Sequence, residues 1–306
     1  MAGVITGFAV IASIVATGYL LGWRGSLGEG AREVLTRLAF TVATPALLFR
    51  TVAQADLTVI LSTPLLVTAL STFLVAGMFV AVGAARRWSV GRTTIGALCS
   101  SYVNAGNLGI PIAVYVLGDA TLVAPVLLFQ QLVVTPLALT VVDLSRPDSR
   151  GRPMHRLLTP FRNPVVLGSL SGVVVSAAGW RLPGPVLEPI TLLGDMSVPA
   201  VLLAFGISLC GSTLPGRGPD RWPVLLSASL KAFAQPLVAW VLAAGLFRLG
   251  RAAVFDVVVT SALPAAQNLF TYASRYQTGV RLARESILLS TILAVPVLTT
   301  VAAVLG

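Results

Sequence analysis

The stretch Asn104-Ala-Gly-Asn-Leu-Gly-Ile-Pro111 interrupts an apolar segment that is long enough to cross a lipid bilayer. Gly106 and Gly109 weaken the helix there, and Pro111 removes a backbone donor. Because lipid cannot hydrogen-bond the exposed backbone, such a break persists only where protein or a water-filled cavity satisfies it. A second interrupted segment lies near the other end of the chain, at Ala262-Leu-Pro264. Two breaks of this kind predict a secondary transporter with a binding site inside the membrane.

The composition is that of a membrane protein. Of the 306 residues, 56% are hydrophobic and 10% are charged, and the mean hydropathy is +0.90. Soluble proteins average about a quarter charged residues. We therefore expect an all-α polytopic protein of the cell membrane. Its net charge of +10 resides in short gaps between apolar runs, which indicates membrane topology and lipid contact, with no nucleic-acid partner.

Reactive and metal-ligating residues are few. Cys99 and Cys210 both lie in apolar segments, and His155, the single histidine, lies in a basic loop. Neither residue type forms a metal motif, and no nucleophile–base pair, nucleotide loop or redox-ligand cluster occurs. The sequence thus predicts no metal site, no cofactor and no enzymatic activity.

Ten apolar runs of about 17–27 residues indicate ten transmembrane helices. The predicted segments are 4–23, 34–53, 60–84, 93–117, 121–142, 164–180, 187–210, 223–247, 253–274 and 285–305. Loops after odd-numbered segments carry 16 arginines, whereas loops after even-numbered segments carry 4. Since positive residues favour the cytoplasmic side, the odd-numbered loops are predicted to be cytoplasmic and both termini to face outside.

A hydrophilic gap divides the chain into two sets of five segments. Residues 1–142 form the first predicted repeat, 143–163 a cytoplasmic linker, and 164–306 the second repeat. An odd number of crossings leaves the second copy inverted relative to the first. Similarity between Thr44-Pro-Ala-Leu-Leu and Val198-Pro-Ala-Val-Leu supports an inverted repeat, because the two motifs stand at equivalent places in their halves.

The two broken segments, four and nine, also occupy equivalent positions and bear amide side chains. Segment four offers Asn104 and Asn107, and segment nine offers Gln267 and Asn268 after Pro264. If both segments cross near the membrane midplane, these amides and two helix N-termini converge there. A helix N-terminus carries about half a positive charge, which favours an anionic group such as a carboxylate. The alternative interpretation is that these residues only join helices.

These motifs resemble those of the auxin efflux carrier family. The crossover motif of its fourth helix is similar to Asn104-Ala-Gly-Asn-Leu-Gly-Ile-Pro111-Ile, and that of its ninth helix to Ala262-Leu-Pro264-Ala-Ala-Gln-Asn-Leu-Phe-Thr-Tyr-Ala-Ser-Arg-Tyr276. Two further matches are Ala43-Thr-Pro-Ala-Leu-Leu-Phe49 and Asn163-Pro164, so that the resemblance extends over nearly the whole chain. The compact linker is similar to that of bacterial members, which are associated with malonate, malate and similar carboxylates.

The resemblance implies ten helices in a five-plus-five inverted repeat, with helices one, two, six and seven as a scaffold. A transport domain that contains the crossed, broken helices four and nine would move against this scaffold in an elevator-type motion, often within a dimer. Asn104 matches an asparagine that contacts substrate in the plant auxin exporters. Gln267 and Asn268 stand where those exporters carry mostly apolar residues, which favours a smaller, more polar anion. The family places a glutamine of segment five near the substrate, and Gln131 is our candidate, with Gln130 as the alternative.

Two ionisable residues lie deep inside predicted spans, away from the segment ends. Lys231 lies about 13 Å from the cytoplasmic edge of segment eight, and Asp195 about 12 Å from the outer edge of segment seven. In a hydrocarbon core about 30 Å thick these depths differ by about 5 Å, so neighbouring helices would allow an ion pair. Lys231 would then balance substrate charge or couple transport to protons, and a purely structural role is the alternative.

The sequence therefore predicts a secondary-active carrier of small carboxylates that works by alternating access. One alternative is a sodium-coupled symporter resembling the bile-acid symporters, which share crossed fourth and ninth helices. A second alternative is a membrane sensor that keeps the fold but does not transport. The coupling ion, protons or sodium, and the direction of transport are left open by the sequence.

Overall fold

The structure, a computed structural model, describes residues 2–28, 30–54, 62–109, 124–145, 164–210 and 218–305, and these residues are organised by helices. The helices are α1 (Ala2–Arg24), α2 (31–53), α3 (Thr63–Ala85), α4 (Val90–Ser101), α5 (124–144), α6 (Pro164–Ala177), α7 (Gly184–Leu209), α8 (Arg221–Leu246), α9 (Arg251–Ala262), α10 (Asn268–Tyr276) and α11 (Val280–Leu305). Within the described ranges no β-strand is present, apart from one isolated bridge.

Long apolar helices identify a membrane protein. Among the described residues, α3, α5, α7, α8 and α11 are long and apolar enough to cross a bilayer. The predicted class, an all-α polytopic membrane protein, is confirmed at this level. Crossing by all ten segments, the inverted repeat and the orientation of the termini stay predictions. Most of the predicted linker, residues 146–163, lies outside the described residues.

Three of the helices contain a π-helical turn that ends two residues before a proline. The turns are Ala39–Ala43 in α2, Gln130–Val134 in α5 and Leu230–Ala234 in α8, and the prolines are Pro45, Pro136 and Pro236. A proline ring clashes with the carbonyl one turn earlier and donates no hydrogen bond, so a wider turn relieves the clash. In α5 and α8 these turns present Gln130, Gln131 and Lys231.

The helices pack in two groups. One group contains α1, α2, α6 and α7, and the other contains α3, α4, α5, α8, α9 and α11, while α10 contacts both. Glycines join the first group: a Cβ on Gly206 of α7 would lie 2.1 Å from the Val15 carbonyl oxygen of α1, and a Cβ on Gly168 of α6 would lie 2.5 Å from the Pro45 carbonyl oxygen of α2. Such close helix contacts are typical of membrane bundles, where small residues let backbones approach.

Candidate functional site

The two helix breaks lie against each other. Residues after α4 and after α9 pair as a single antiparallel bridge between Val103 and Ala265. The Asn104 N–H donates to the Pro264 carbonyl at 2.8 Å, and a second bond, of 3.3 Å, runs from the Ala266 N–H back to the first break. Each break thus satisfies backbone groups of the other, as burial away from water requires.

Side chains from α5 and α11 hold the paired backbone. Gln130 is buried, its Oε1 accepts from the Val103 N–H at 2.7 Å, and its Nε2 donates to the Val103 carbonyl at 3.1 Å. In the second half, the Ser290 Oγ accepts from the Ala265 N–H at 3.1 Å. The sequence left Gln130 and Gln131 as alternatives for a substrate contact, and this geometry assigns Gln130 to the backbone. Ser290 was not predicted, since a lone serine in an apolar helix gives no signal.

Lys231 and Gln235 of α8 hold the C-terminal ends of α9 and α4, the two helices that lead into the breaks. The fully buried Lys231 Nζ donates to the Ser261 carbonyl of α9 at 2.8 Å and to the Gln235 Oε1 at 2.6 Å. Gln235 Nε2 donates in turn to the Ser101 carbonyl of α4 at 2.7 Å. Helix C-termini carry partial negative charge, which a cation stabilises. The lysine therefore contacts the end of α9 directly and the end of α4 through Gln235, and it does not line the cavity described below.

The predicted ion pair between Lys231 and Asp195 is wrong. Asp195 Oδ1 accepts from Arg50 Nη1 of α2 at 2.7 Å, and the Asp195 side chain is 57% exposed, whereas Lys231 is fully buried. The two residues belong to different helix groups, α7 to the first and α8 to the second. Equal depth along two helices does not place two side chains on facing sides, which is why the depth argument failed.

A cavity of about 260 Å³ lies between the two helix groups, at the paired breaks. One side is formed by α2 and α7, where the Thr44 and Ser197 hydroxyls bond to each other at 2.9 Å. The other side is formed by the breaks and by α5. Its amide side chains are Asn104, Gln130, Gln131, Gln267 and Asn268. The structure thus brings four of the five predicted binding residues together in one cavity.

Three of these five amides, Asn104, Gln130 and Gln267, are engaged through hydrogen bonds, whereas Gln131 and Asn268 each keep an oxygen without a partner in the described structure. Asn104 Nδ2 donates to Gln267 Oε1 at 2.7 Å, and both residues are buried. In the described part of the chain, the buried Oε1 of Gln131 and the buried Oδ1 of Asn268 have no hydrogen-bond partner. Asn268 Nδ2 donates to the Tyr272 hydroxyl at 3.2 Å. The cavity therefore presents polar atoms whose hydrogen bonding is unfulfilled, which is rare for buried groups.

The helix-breaking residues occupy the same region. Gly106 lines the cavity, and the Gly109 N–H donates to the Asn104 carbonyl at 2.9 Å within the π turn Ala105–Gly109. The Asn107 side chain and Pro111 lie outside the described residues. α10 begins at Asn268, so one of the two predicted helix N-termini reaches the cavity wall.

A membrane-spanning bundle with unfulfilled amides at paired helix breaks defines a class of protein, the membrane transporters. The sequence matches the family described as membrane transport protein over residues 4–155 and 150–302. The chain therefore belongs to this auxin efflux carrier-like family, and the resemblance predicted from its motifs is confirmed.

Similar proteins are transporters by name. A protein of Rhizobium meliloti (strain 1021) named "Putative malonate transporter" is 25% identical over 273 residues, which cover 84% of this chain and 82% of the relative. An uncharacterized transporter of Methanothermobacter thermautotrophicus is 29% identical over 293 residues, 92% of this chain and 91% of the relative. An uncharacterized transporter of Methanocaldococcus jannaschii is 21% identical over 292 residues, 92% of each chain.

Proposed function

We propose that this protein is a secondary-active transporter of small organic anions, with carboxylates as substrates, and that the substrate binds in the cavity at the paired breaks. The observation that carries the proposal is that two amides lining this cavity, Gln131 and Asn268, each have a buried oxygen without a partner in the described structure. An amide whose oxygen has no partner is not fixed in one orientation, so it can turn its NH₂ group toward a ligand that accepts hydrogen bonds.

Amide groups suit a carboxylate because each has two N–H donors. Gln131 makes no hydrogen bond with any described residue, so its amide can turn its donors toward the ligand. Rotating the Asn268 amide by half a turn would let the Tyr272 hydroxyl donate to Oδ1 and would free the NH₂ group to donate to a ligand. The N-terminus of the nine-residue α10 adds partial positive charge at the same place.

In this proposal, alternating access results from movement of one helix group relative to the other. The breaks belong to the second group, and the cavity is closed on its other side by α2 and α7 of the first group. An elevator-type movement of the second group, with its site, along the first would expose the cavity to each side of the membrane in turn. Proton or sodium coupling, outward-facing termini, the cytoplasmic linker 143–163 and a homodimer complete the proposal, and no covalent chemistry is involved. The name of the Rhizobium meliloti relative supports a carboxylate substrate.

The proposal is tested by uptake into proteoliposomes. A panel of mono- and dicarboxylates plus indole-3-acetate is offered with and without a proton gradient and with and without sodium. We expect saturable uptake of a small carboxylate, which is strongly reduced in Gln131→Leu. The matched control is Gln54→Leu, which removes an exposed amide at the end of α2 and should transport normally.

The outcomes separate the alternatives. Uptake that requires sodium and ignores the proton gradient would favour the sodium-coupled symporter. Silence across the panel, from protein shown to be folded and inserted, would contradict the carrier proposal and favour a non-transporting sensor. Normal uptake by Gln131→Leu would contradict the placement of the substrate site.

A further inference from the structure

One wall of the cavity carries a cation. Arg50 lies six residues beyond Thr44 on α2, about 9 Å further along the helix axis. Of the described residues that line the cavity, Arg50 is the one with a charged side chain. The amide end of the same cavity, at Gln131 and Asn268, is neutral. The cavity is therefore asymmetric, with uncharged donors on the side of the second helix group and a guanidinium on the side of the first.

The partner of this cation is exchangeable. Arg50 Nη1 donates to Asp195 Oδ1 at 2.7 Å, with 23% of the arginine side chain and 57% of the aspartate side chain exposed. Ion pairs between groups that water reaches contribute little to stability. A second carboxylate in the cavity can offer the guanidinium the same bond, and in bidentate geometry a stronger one. Arg50 lines the cavity, whereas Asp195 does not.

We propose that Arg50 determines specificity for dicarboxylates, by binding the second carboxylate of a substrate whose first carboxylate is held by the amides at the breaks. Asp195 occupies the guanidinium in the empty transporter and is displaced by the substrate. This inference rests on the proposed function, because it assumes that the amide end binds a carboxylate. It adds the residue that distinguishes dicarboxylates from monocarboxylates, and it makes a monocarboxylate of equal length a poorer ligand because that molecule leaves the arginine with Asp195.

The two partners of the pair give opposite predictions. In Arg50→Gln the dicarboxylate loses a charge-assisted hydrogen bond, so its KM should rise about tenfold or more. The KM of a matched monocarboxylate should change by less than about twofold, since that substrate does not use the arginine. Asp195→Asn removes the carboxylate that competes with the substrate for Arg50, so the dicarboxylate KM should fall. If the pair only held α2 against α7, Asp195→Asn would instead impair transport as Arg50→Gln does.

The experiment uses the full chain in proteoliposomes, with succinate and butyrate as the matched probes. Butyrate is scored both by its uptake and by its inhibition of succinate uptake. Arg50→Lys, which keeps the charge and loses the bidentate geometry, should give a succinate KM between those of the wild type and Arg50→Gln. Substrate-induced stabilisation of the purified wild type and Asp195→Asn proteins against heat gives a second readout, in which the variant should respond at lower succinate concentration.

The failures are distinguishable. An equal loss of succinate and butyrate uptake in Arg50→Gln, or a raised succinate KM in Asp195→Asn, overturns the role of Arg50 and leaves the carrier proposal in place. Saturable uptake by the wild type with no difference between the variants also overturns the role of Arg50 and leaves the carrier proposal in place. Absence of any carboxylate uptake or heat stabilisation in the wild type overturns the proposed function and this inference with it.

Discussion

The two helix breaks perform different tasks although they pair with each other. At the first break, one glutamine holds both the N–H and the carbonyl of Val103, and Asn104 is engaged with Gln267. At the second break, a single serine holds the Ala265 N–H, and Asn268 keeps a buried oxygen without a partner in the described structure. The first break is thus the more firmly held, while the second retains hydrogen-bonding capacity for a ligand.

The largest effect on stability is expected at Gln130 and Ser290, the side chains that hold the backbone of the two breaks. Gln130→Leu deprives the Val103 N–H of its acceptor and removes a second bond, which should lower the free energy of unfolding by about 2–4 kcal/mol. Ser290→Ala removes one bond to the Ala265 N–H and should cost about 1–2 kcal/mol. Melting temperatures of the detergent-purified proteins compare the two variants. A smaller loss in Gln130→Leu than in Ser290→Ala would contradict the asymmetry.

The next effect concerns Lys231, which supports the helix before the second break directly and the helix before the first break through Gln235. Lys231→Met leaves the Ser261 carbonyl and Gln235 Oε1 without their donor, so we expect a loss of about 1–3 kcal/mol in stability and clearly slower transport. Because Lys231 contacts the ends of helices and not the cavity, residual uptake should keep the pH profile of the wild type. A pH profile that flattens in Lys231→Met would support proton coupling through the lysine instead.

A moderate effect distinguishes the amides at the cavity. Asn268→Ala should raise the KM for the transported carboxylate about tenfold with little loss of stability, because its bonding capacity is directed at the ligand. Asn104→Ala also reduces transport, but it removes the bond to Gln267 and should lower the melting temperature as well. Uptake kinetics and thermal unfolding are measured for both variants. Unchanged KM in Asn268→Ala would remove the second break from the substrate site.

The smallest effect comes from Gly106. A Cβ built there lies 3.8 Å from Leu127 Cδ1, an ordinary contact, and the residue has no positive φ angle. Gly106→Ala should therefore change the stability by less than about 0.5 kcal/mol. Its methyl group enters the cavity lining, so we expect a modest rise in KM, larger for bulkier carboxylates. Loss of folding in this variant would show that the first break needs its glycine for backbone reasons.

The sequence located the breaks and the amide side chains beside them, but it did not show which side chain holds the backbone and which lacks a partner. Glycine, proline and amides inside apolar segments gave the places of the breaks, and the proline positions are reflected in the π turns of α2, α5 and α8. The sequence did not decide between Gln130 and Gln131, because adjacent residues on a helix differ only in the direction they face. It paired Lys231 with Asp195 because the position of a residue along a helix gives its depth in the membrane but not the direction in which its side chain points. The ion pair between Arg50 and Asp195 could not be predicted, since the two residues lie 145 positions apart in the sequence.

The bridge between Val103 and Ala265 also limits how the protein can move. Two segments that exchange backbone hydrogen bonds behave as one body, and a hinge between them would require breaking those bonds where no water replaces them. The Gln235 bond to the Ser101 carbonyl and the Lys231 bond to the Ser261 carbonyl tie α8 to the same body. Separation of the two breaks is therefore disfavoured, and an elevator-type motion of the kind proposed above would carry both breaks together as one unit.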